Sequence, residues 1–228
     1  MQILPPRFSR QIREAAQLLA TGRSRVVLHA MGTRLRSDTI AVGLRRDLTL
    51  PHLVPPAKIP LQVRPLESGD DLSMLDISPD TPPDQVPGLV AQRRLLATAL
   101  PTCWVAIAPN GKVCYMQWLT TSQDNERIHG RWGDLFPILG QDEALLEGAY
   151  TGHAYRGQGI MAHAMARIAE GARDFGARWV LTFVGESNVA SLKGCAKAGF
   201  VRYVRRTESW RLMRRRVRFV PLLPKGSP

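Results

Sequence analysis

The stretch YTGHAYRGQGIMAHAMARIA, residues 150–169, is the most informative part of this sequence. It continues an apolar strand-like segment (144–151) and passes through a glycine-rich turn into residues with the spacing of an amphipathic helix. Glycines at 157 and 159 allow a tight turn and a close approach of the backbone to a ligand. The helix N-terminus behind them would offer unpaired N–H groups and a positive dipole end. Together with the charge of Arg156, this pattern predicts a cradle for a diphosphate.

Two other phosphate-binding patterns fit this stretch less well. A P-loop requires Gly-Lys-Ser/Thr, which does not occur in the sequence. The dinucleotide fingerprint is formally matched by Gly157, Gly159 and Ala162, but it calls for an acidic residue about 20 positions further on in an opening βαβ unit. Here Glu186 follows Gly159 by 27 residues, and no second βα series comes after it.

Regular elements surround the glycine-rich turn. Downstream, we expect a helix from about Ile160 to Asp174 that Gly176 ends, a buried strand, a short helix capped by Ser187 or Asn188, and two Arg-rich strands. Upstream, the pattern predicts an amphipathic helix (8–19), a short strand (39–44) and a Pro-rich connector (51–60). These are followed by a strand (61–66), a helix (85–100), a hairpin that turns at Asn110-Gly111 (103–120) and a polar loop (121–142).

Charge is unevenly distributed along the 228 residues. Residues 1–60 and 151–228 carry net charges of +7 and +11, whereas residues 61–150 carry −6, which gives +12 for the whole chain. Basic ends of this kind attract polyanions such as nucleic acid, a phosphorylated cofactor or an acidic protein, and they also serve as a solubilising surface. No apolar run reaches the ~20 residues of a transmembrane helix. The three cysteines are too few for a disulfide scaffold, so we expect a cytoplasmic protein.

Several motifs, in order, resemble the GNAT acyltransferase superfamily. Arg156 and Gly159 match its Arg/Gln-x-x-Gly-x-Gly/Ala core, although Met161 stands where Gly or Ala is usual. After one strand come Asn188-x-x-Ser191 and Gly199-Phe200, which are similar to the family's next motif. The resemblance covers roughly residues 60–220. We therefore divide the chain into an N-terminal extension, an acyltransferase domain and a C-terminal tail, at residues 1–59, 60–221 and 222–228.

The resemblance implies an α/β (α+β) fold with a mixed central sheet, flanked by helices, that splays open between the strands at 144–151 and 179–184. It implies that acetyl-CoA or another acyl-CoA is the co-substrate, with pantetheine along Tyr150 and Thr151 and the diphosphate on the glycine-rich turn. No metal ion is expected. The cofactor-binding residues that it implies are Tyr150, Thr151, Arg156, Gly157, Gln158, Gly159, Ile160, Met161, Asn188 and Ser191.

The resemblance also implies direct attack by an amine on the thioester. Glu147, on the strand that lines the splay, is the preferred general base, with His129 and His153 as alternatives. Cys195 stands seven residues after Asn188, where many family members have a tyrosine that protonates the leaving thiolate. Cys195 and Tyr150 are therefore the candidate acids, and Tyr155 or water could take that role instead.

The leading hypothesis is transfer of an acetyl group to a small-molecule primary amine, which the acidic segments 67–84 and 121–142 would attract. One alternative is a long-chain N-acyltransferase whose donor is an acidic acyl-carrier protein. In that case the carrier would dock on the Arg-rich end of the chain, at Arg205, Arg206, Arg211, Arg214, Arg215, Arg216 and Arg218. A basic nucleic-acid-binding or regulatory protein is the non-enzymatic alternative, although no recognised nucleic-acid motif supports it. The sequence leaves open whether the chain forms a homodimer.

Overall fold

The structure is a computed structural model that describes residues 34–98, 100 and 102–222. Its contacts separate into two units. Among the described residues, 34–40 and 206–219 form a small unit, and 41–205 with 220–222 form the larger one. The predicted helix at 8–19 and the last six residues lie outside the described part of the chain.

The strands form one mixed sheet in the order β2-β3-β4-β5-β6-β1-β7-β8. β5 and β6 are parallel, whereas β1 with β6, β2 with β3, β3 with β4, and β4 with β5 are antiparallel. This is the mixed α/β sheet that the sequence predicts. The strands are β1 (Arg36–Asp47), β2 (Gln62–Pro65), β3 (Cys103–Ile107), β4 (Val113–Thr121), β5 (Glu143–Thr151), β6 (Trp179–Gly185), β7 (Val201–Arg211) and β8 (Arg214–Pro221).

The four helices described are α1 (Val86–Leu96), α2 (Asn125–Trp132), α3 (Ile160–Gly171) and α4 (Val189–Lys197). α3 passes into a 3-10 turn that ends at Gly176, whose φ of +77° is the left-handed conformation expected of a terminating glycine. Asn188 caps α4, because its side chain accepts a hydrogen bond from the Ser191 N–H. Both helix ends lie where the sequence predicts them.

The predicted polar loop at 121–142 is wrong, because α2 and two 3-10 turns occupy most of it. Ile128 of α2 is fully buried, in a cluster with Phe136, Leu145 and Phe183. This short helix has few apolar residues among many polar and charged ones, so its sequence predicts a polar loop although one face packs on the sheet.

Helices cover both faces of the sheet. α3 is buried along most of its length and packs with α4 on the face that carries Tyr115 and Leu119 of β4. α1 packs on the face that carries Met116 and Trp118. Successive residues of β4 therefore contribute to opposite cores, as the alternation of a strand requires.

β1 is longer than the strand predicted at 39–44, and it lies inside the sheet between β6 and β7. Arg46 on this strand is 2% exposed. Its guanidinium donates to the Ala166 and Ala198 carbonyls and pairs with Glu170, so it links β1 to α3 and to the end of α4. The domain boundary at residue 60 stays a prediction.

We predict that Arg46→Met lowers the stability of the protein by about 3 kcal/mol, because two buried carbonyls lose a charged donor. This corresponds to a fall in Tm of about 6–12 °C for a chain of this size. Thermal unfolding measures it. Arg45→Met is the control, since Arg45 is exposed and its guanidinium lies 4.5 Å from the centre of the Trp179 ring. Equal Tm values for the two variants would contradict the structural role of Arg46.

Candidate active site

The central feature of the larger unit is the place where β5 leaves β6. The two strands pair only at Glu143–Trp179, Ala144–Val180 and Leu145–Leu181. The register between β4 and β5 shifts in the same region, between Met116 and Trp118. The sheet therefore opens between β5 and β6, as the sequence predicts, and this opening exposes the rest of the β5 edge to a ligand.

Gly148 lies at this irregularity, with a φ of +69°. A Cβ atom on Gly148 would lie 2.5 Å from Leu95 Cδ2 and 2.8 Å from Trp118 Cε3, so a larger residue would displace the core beneath the strand. Glycine is needed here both for the backbone conformation and for the close packing.

A cavity of about 600 Å³ lies at the N-terminus of α3, and we call it the cradle cavity. It brings together every cofactor-binding residue predicted from the sequence except Gln158. Gln158 instead contacts protein groups: its carbonyl accepts from the Lys58 N–H, and its side chain donates to the Ala154 carbonyl. The residues of the prediction that line the cavity are Tyr150, Thr151, Arg156, Gly157, Gly159, Ile160, Met161, Asn188 and Ser191.

The cradle cavity has the chemistry of an anion site. Gly157 and Gly159 have φ values of +76° and +77°, and α3 begins at the next residue without a capping side chain. Its first N–H groups are thus left for a ligand. Lys193 and Lys197 of α4 also line the cavity. Sequence reasoning missed these two lysines, although their i, i+4 spacing after the Asn188 cap was a usable signal.

A second cavity, of about 270 Å³, lies at the opening itself, and we call it the apex cavity. Glu147 and Cys195 both line it, as do Gln92 of α1 and Gln117 of β4. Met161, Asn188 and Ser191 line both cavities, so the apex cavity adjoins the cradle cavity. The structure thus brings two of the predicted catalytic residues to the end of the predicted cofactor site.

Cys195 is fully buried in the core between the sheet and helices α3 and α4, which we call the α3-side core, and its thiol lies 3.7 Å from the Met165 sulfur. Burial raises the pKa of this thiol to about 12. Proton transfer from Cys195 to the thiolate of a thiol with the ordinary pKa near 8.5 is therefore unfavourable in free energy. Tyr150 is half-buried, lines the cradle cavity and has the Arg156 guanidinium 6.0 Å from its ring centre.

The alternative bases and acid lie elsewhere. His153 is exposed and lines a third cavity of about 470 Å³, the loop cavity, which Tyr150 and residues of the 73–85 segment also line. The Tyr155 hydroxyl is hydrogen-bonded to Asn110 in the hairpin turn, while its ring borders the cradle and loop cavities. His129 lies on α2 and lines none of these three cavities.

A family model described as the acetyltransferase (GNAT) family matches residues 127–200. That range contains most of α2 and all of β5, α3, β6 and α4, and with them most of the walls of the cradle and apex cavities. This part of the chain is therefore similar to the GNAT acetyltransferase family. No curated protein matches it significantly.

Several solved structures are similar to this chain. The GCN5-related glucosamine N-acetyltransferase region of a fungal multi-domain GH3 β-N-acetylglucosaminidase is 14% identical over 83% of this chain and 23% of that one, with a TM-score of 0.52. A GNAT-family structure from Novosphingobium aromaticivorans DSM 12444 is 15% identical over 75% and 63% of the two chains, with a TM-score of 0.45. One from Colwellia psychrerythraea is 14% identical over 93% and 76%, at 0.48. The chain thus spans less than two thirds of the first two proteins.

Three further observations concern metal ligands, membrane-spanning helices and the Arg-rich end of the chain. Within the described residues, no group of three or more His, Cys, Asp or Glu side chains could hold a metal ion. None of the helices described is long and apolar enough to cross a membrane. Several arginines of the Arg-rich end form ion pairs: Arg205 with Glu186, Arg211 with Asp38, and Arg215 with Glu208.

We predict that Gly157→Asp weakens CoA binding about tenfold more than Gly157→Asn. A Cβ on Gly157 would meet no atom within 4 Å, and Asn and Asp both tolerate a positive φ, so the variants differ chiefly by one negative charge. Repulsion of a diphosphate at a few ångströms costs on the order of 1–2 kcal/mol in a hydrated site. Titration calorimetry with CoA measures the difference. Equal affinities of the two variants for CoA would contradict the assignment of the diphosphate to this turn.

Proposed function

We propose that this GNAT protein is an acyl-CoA-dependent N-acyltransferase that moves an acetyl group from acetyl-CoA to a primary amine. The observation that supports this proposal is the continuity of the cradle cavity, which offers helix N–H groups and lysines, with the apex cavity, which offers a carboxylate. An anionic cofactor bound at one end would have its reactive end directed towards Glu147. Neither cavity alone would suffice for the transfer.

The apex cavity offers the proton acceptor that amine attack requires. As the amine nitrogen bonds to the thioester carbon, the π electron pair moves to oxygen, where a β5 backbone N–H stabilises it. Glu147 accepts the proton from nitrogen. The Oε1 atom of Gln92 is buried beside the same cavity and has no hydrogen-bond partner among the described residues, so it can accept from another N–H of the amine.

When the tetrahedral carbon collapses, the C–S bond breaks and the thiolate takes up a proton, which gives an amide and free CoA. Tyr150 is our preferred donor of that proton, because it lines the cradle cavity on the strand that leads to the apex. Solvent can replace it, since a thiolate is a good leaving group. Cys195 is not our preferred donor, because its thiol is fully buried against Met165 and burial raises its pKa to about 12.

The size of the apex cavity favours a short acyl group. Its volume of about 270 Å³ corresponds to on the order of nine water-sized groups at about 30 Å³ each, and the amine must share that space. The loop cavity next to Tyr150 carries Asp76 and Asp80, which would attract a cationic acceptor. The three cysteines are free and buried, which supports a reducing, cytoplasmic setting for the reaction.

The first test is thermal unfolding with acetyl-CoA, palmitoyl-CoA, NADH, ATP and duplex DNA, followed by an assay of acetyl transfer to a panel of primary amines. A ligand at 100 times its Kd stabilises the folded state by about 2.7 kcal/mol, which raises the Tm by about 5–10 °C here. We expect this shift with acetyl-CoA. A larger shift with palmitoyl-CoA would favour the long-chain alternative, and a shift with DNA alone would contradict the proposal.

We predict that Glu147→Gln lowers kcat/KM about 100-fold or more near neutral pH and leaves the Kd of CoA unchanged, because it removes the proton acceptor without touching the cradle. The loss should shrink as pH rises, since more of the amine is then already deprotonated. Glu143→Gln is the matched control: Glu143 lies on the same strand, where it accepts from the Gly140 N–H, and it does not line the apex cavity. An unaltered pH–rate profile in the Glu147 variant would assign the base to water or histidine.

A further inference from the structure

Gln117 occupies an unusual position in the sheet. Met116 pairs with Tyr150 and Trp118 pairs with Glu147, so Gln117 lies at the register shift opposite the Gly148 irregularity. Its side chain is completely buried in a strand whose other residues are almost all buried too. A carboxamide in such a place must satisfy its own hydrogen bonds or destabilise the core.

The oxygen of that carboxamide has a hydrogen-bond partner. The Tyr115 hydroxyl donates to Gln117 Oε1 at 2.7 Å. Tyr115 is fully buried, and burial raises the pKa of its hydroxyl well above the ordinary value, so the hydroxyl keeps its proton and needs an acceptor. This requirement fixes the orientation of the amide, with Oε1 towards Tyr115 and the NH₂ group on the other side.

The other half has no partner. Gln117 Nε2 is buried and has no hydrogen-bond acceptor among the described residues. A buried donor left unsatisfied costs about 1–3 kcal/mol. Gln117 lines the apex cavity together with Glu147 and Cys195, so a molecule in that cavity is the available source of an acceptor atom.

We propose that the Gln117 side-chain amide donates a hydrogen bond to the acyl carbonyl oxygen of the thioester. Tyr115 belongs to the α3-side core, the side of the cradle cavity, whereas Glu147 pairs with Trp118, whose side chain packs in the α1-side core. The donor group thus lies on the side from which the acyl-CoA arrives, and the proton acceptor on the side open to the amine. A buried N–H aimed at this oxygen strengthens as negative charge develops on it during attack.

The test compares the Kd of acetyl-CoA with that of CoA, which lacks the carbonyl. This inference rests on the proposed acyl-CoA chemistry. In Gln117→Met, we expect the Kd of acetyl-CoA to rise about five- to tenfold, that of CoA to change less than twofold, and kcat to fall at least tenfold. A purely structural role would change both dissociation constants together. Equal changes would therefore overturn the inference.

Tyr115→Phe is the matched control, because it removes the same buried hydrogen bond but keeps the Gln117 amide. We expect it to lower the Tm and to lose less of the preference for acetyl-CoA over CoA than Gln117→Met does, because the amide is still present although Tyr115 no longer orients it. If Tyr115→Phe loses that preference while Gln117→Met keeps it, the effect passes through Tyr115 and Gln117 is not the donor.

A measurement on the unaltered protein covers the case in which Gln117→Met does not fold. With ¹⁵N-labelled glutamine, the Gln117 side-chain amide proton should move downfield with acetyl-CoA and stay in place with CoA; no movement would overturn the inference. If the protein transfers acetyl groups but Gln117 gives these contrary results, only this inference fails. If it binds neither CoA species, the proposed function fails as well.

Discussion

The separation of β5 from β6 after Leu145 is the constraint on which the rest of the site depends. Gly148, with its left-handed backbone and its close approach to Leu95, lies where the register of β5 shifts against β4. The shift places Gln117 and Glu147 at the opening, and it frees the β5 edge that would otherwise pair with β6. If β5 paired with β6 along its whole length, the opening between them would close and a ligand could not reach the edge of β5.

The geometry of the cradle depends on residues well before it in the chain. The Pro-rich segment 51–60 lies along the helices that form the cradle cavity: Lys58 N–H donates to the Gln158 carbonyl, the His163 ring bonds the Pro55 carbonyl, and the His52 ring bonds the Lys197 carbonyl. Gly159 packs against this segment, since a Cβ there would lie 3.2 Å from the Pro56 oxygen. Proline stiffens the segment, so these contacts hold the turn with little loss of chain entropy.

How much of this could be predicted depended on how local each signal is. The Gly-rich turn, the Asn188 cap and the hairpin are encoded within a few residues, and all appear where the sequence places them. Within the hairpin, an irregularity between Ala106 and Ile107 pairs Ile107 with Val113, and no local pattern in the sequence indicates this shift.

Signals that depend on distant contacts were missed. No local pattern shows that β1 inserts between β6 and β7, because that position is set by Arg46 and by residues more than a hundred positions away. Gln117 was invisible for a similar reason. A glutamine in an apolar strand reads as a surface residue, and only the register shift opposite Gly148 explains why it is buried.

The apex combines one carboxylate with neutral hydrogen-bonding groups. Burial raises the pKa values of Cys195, which lines the apex cavity with Glu147, and of Tyr115 behind Gln117, so both stay protonated and neither adds a second charge. Because the Gln117 side chain is completely buried, a hydrogen bond from its amide would be stronger than the same bond in water. Burial therefore makes Cys195 a poor proton donor, but it strengthens the proposed hydrogen bond from the Gln117 amide to the developing oxyanion. In the proposed mechanism, proton donation to the leaving thiolate falls instead to Tyr150, which lines the cradle cavity, or to solvent.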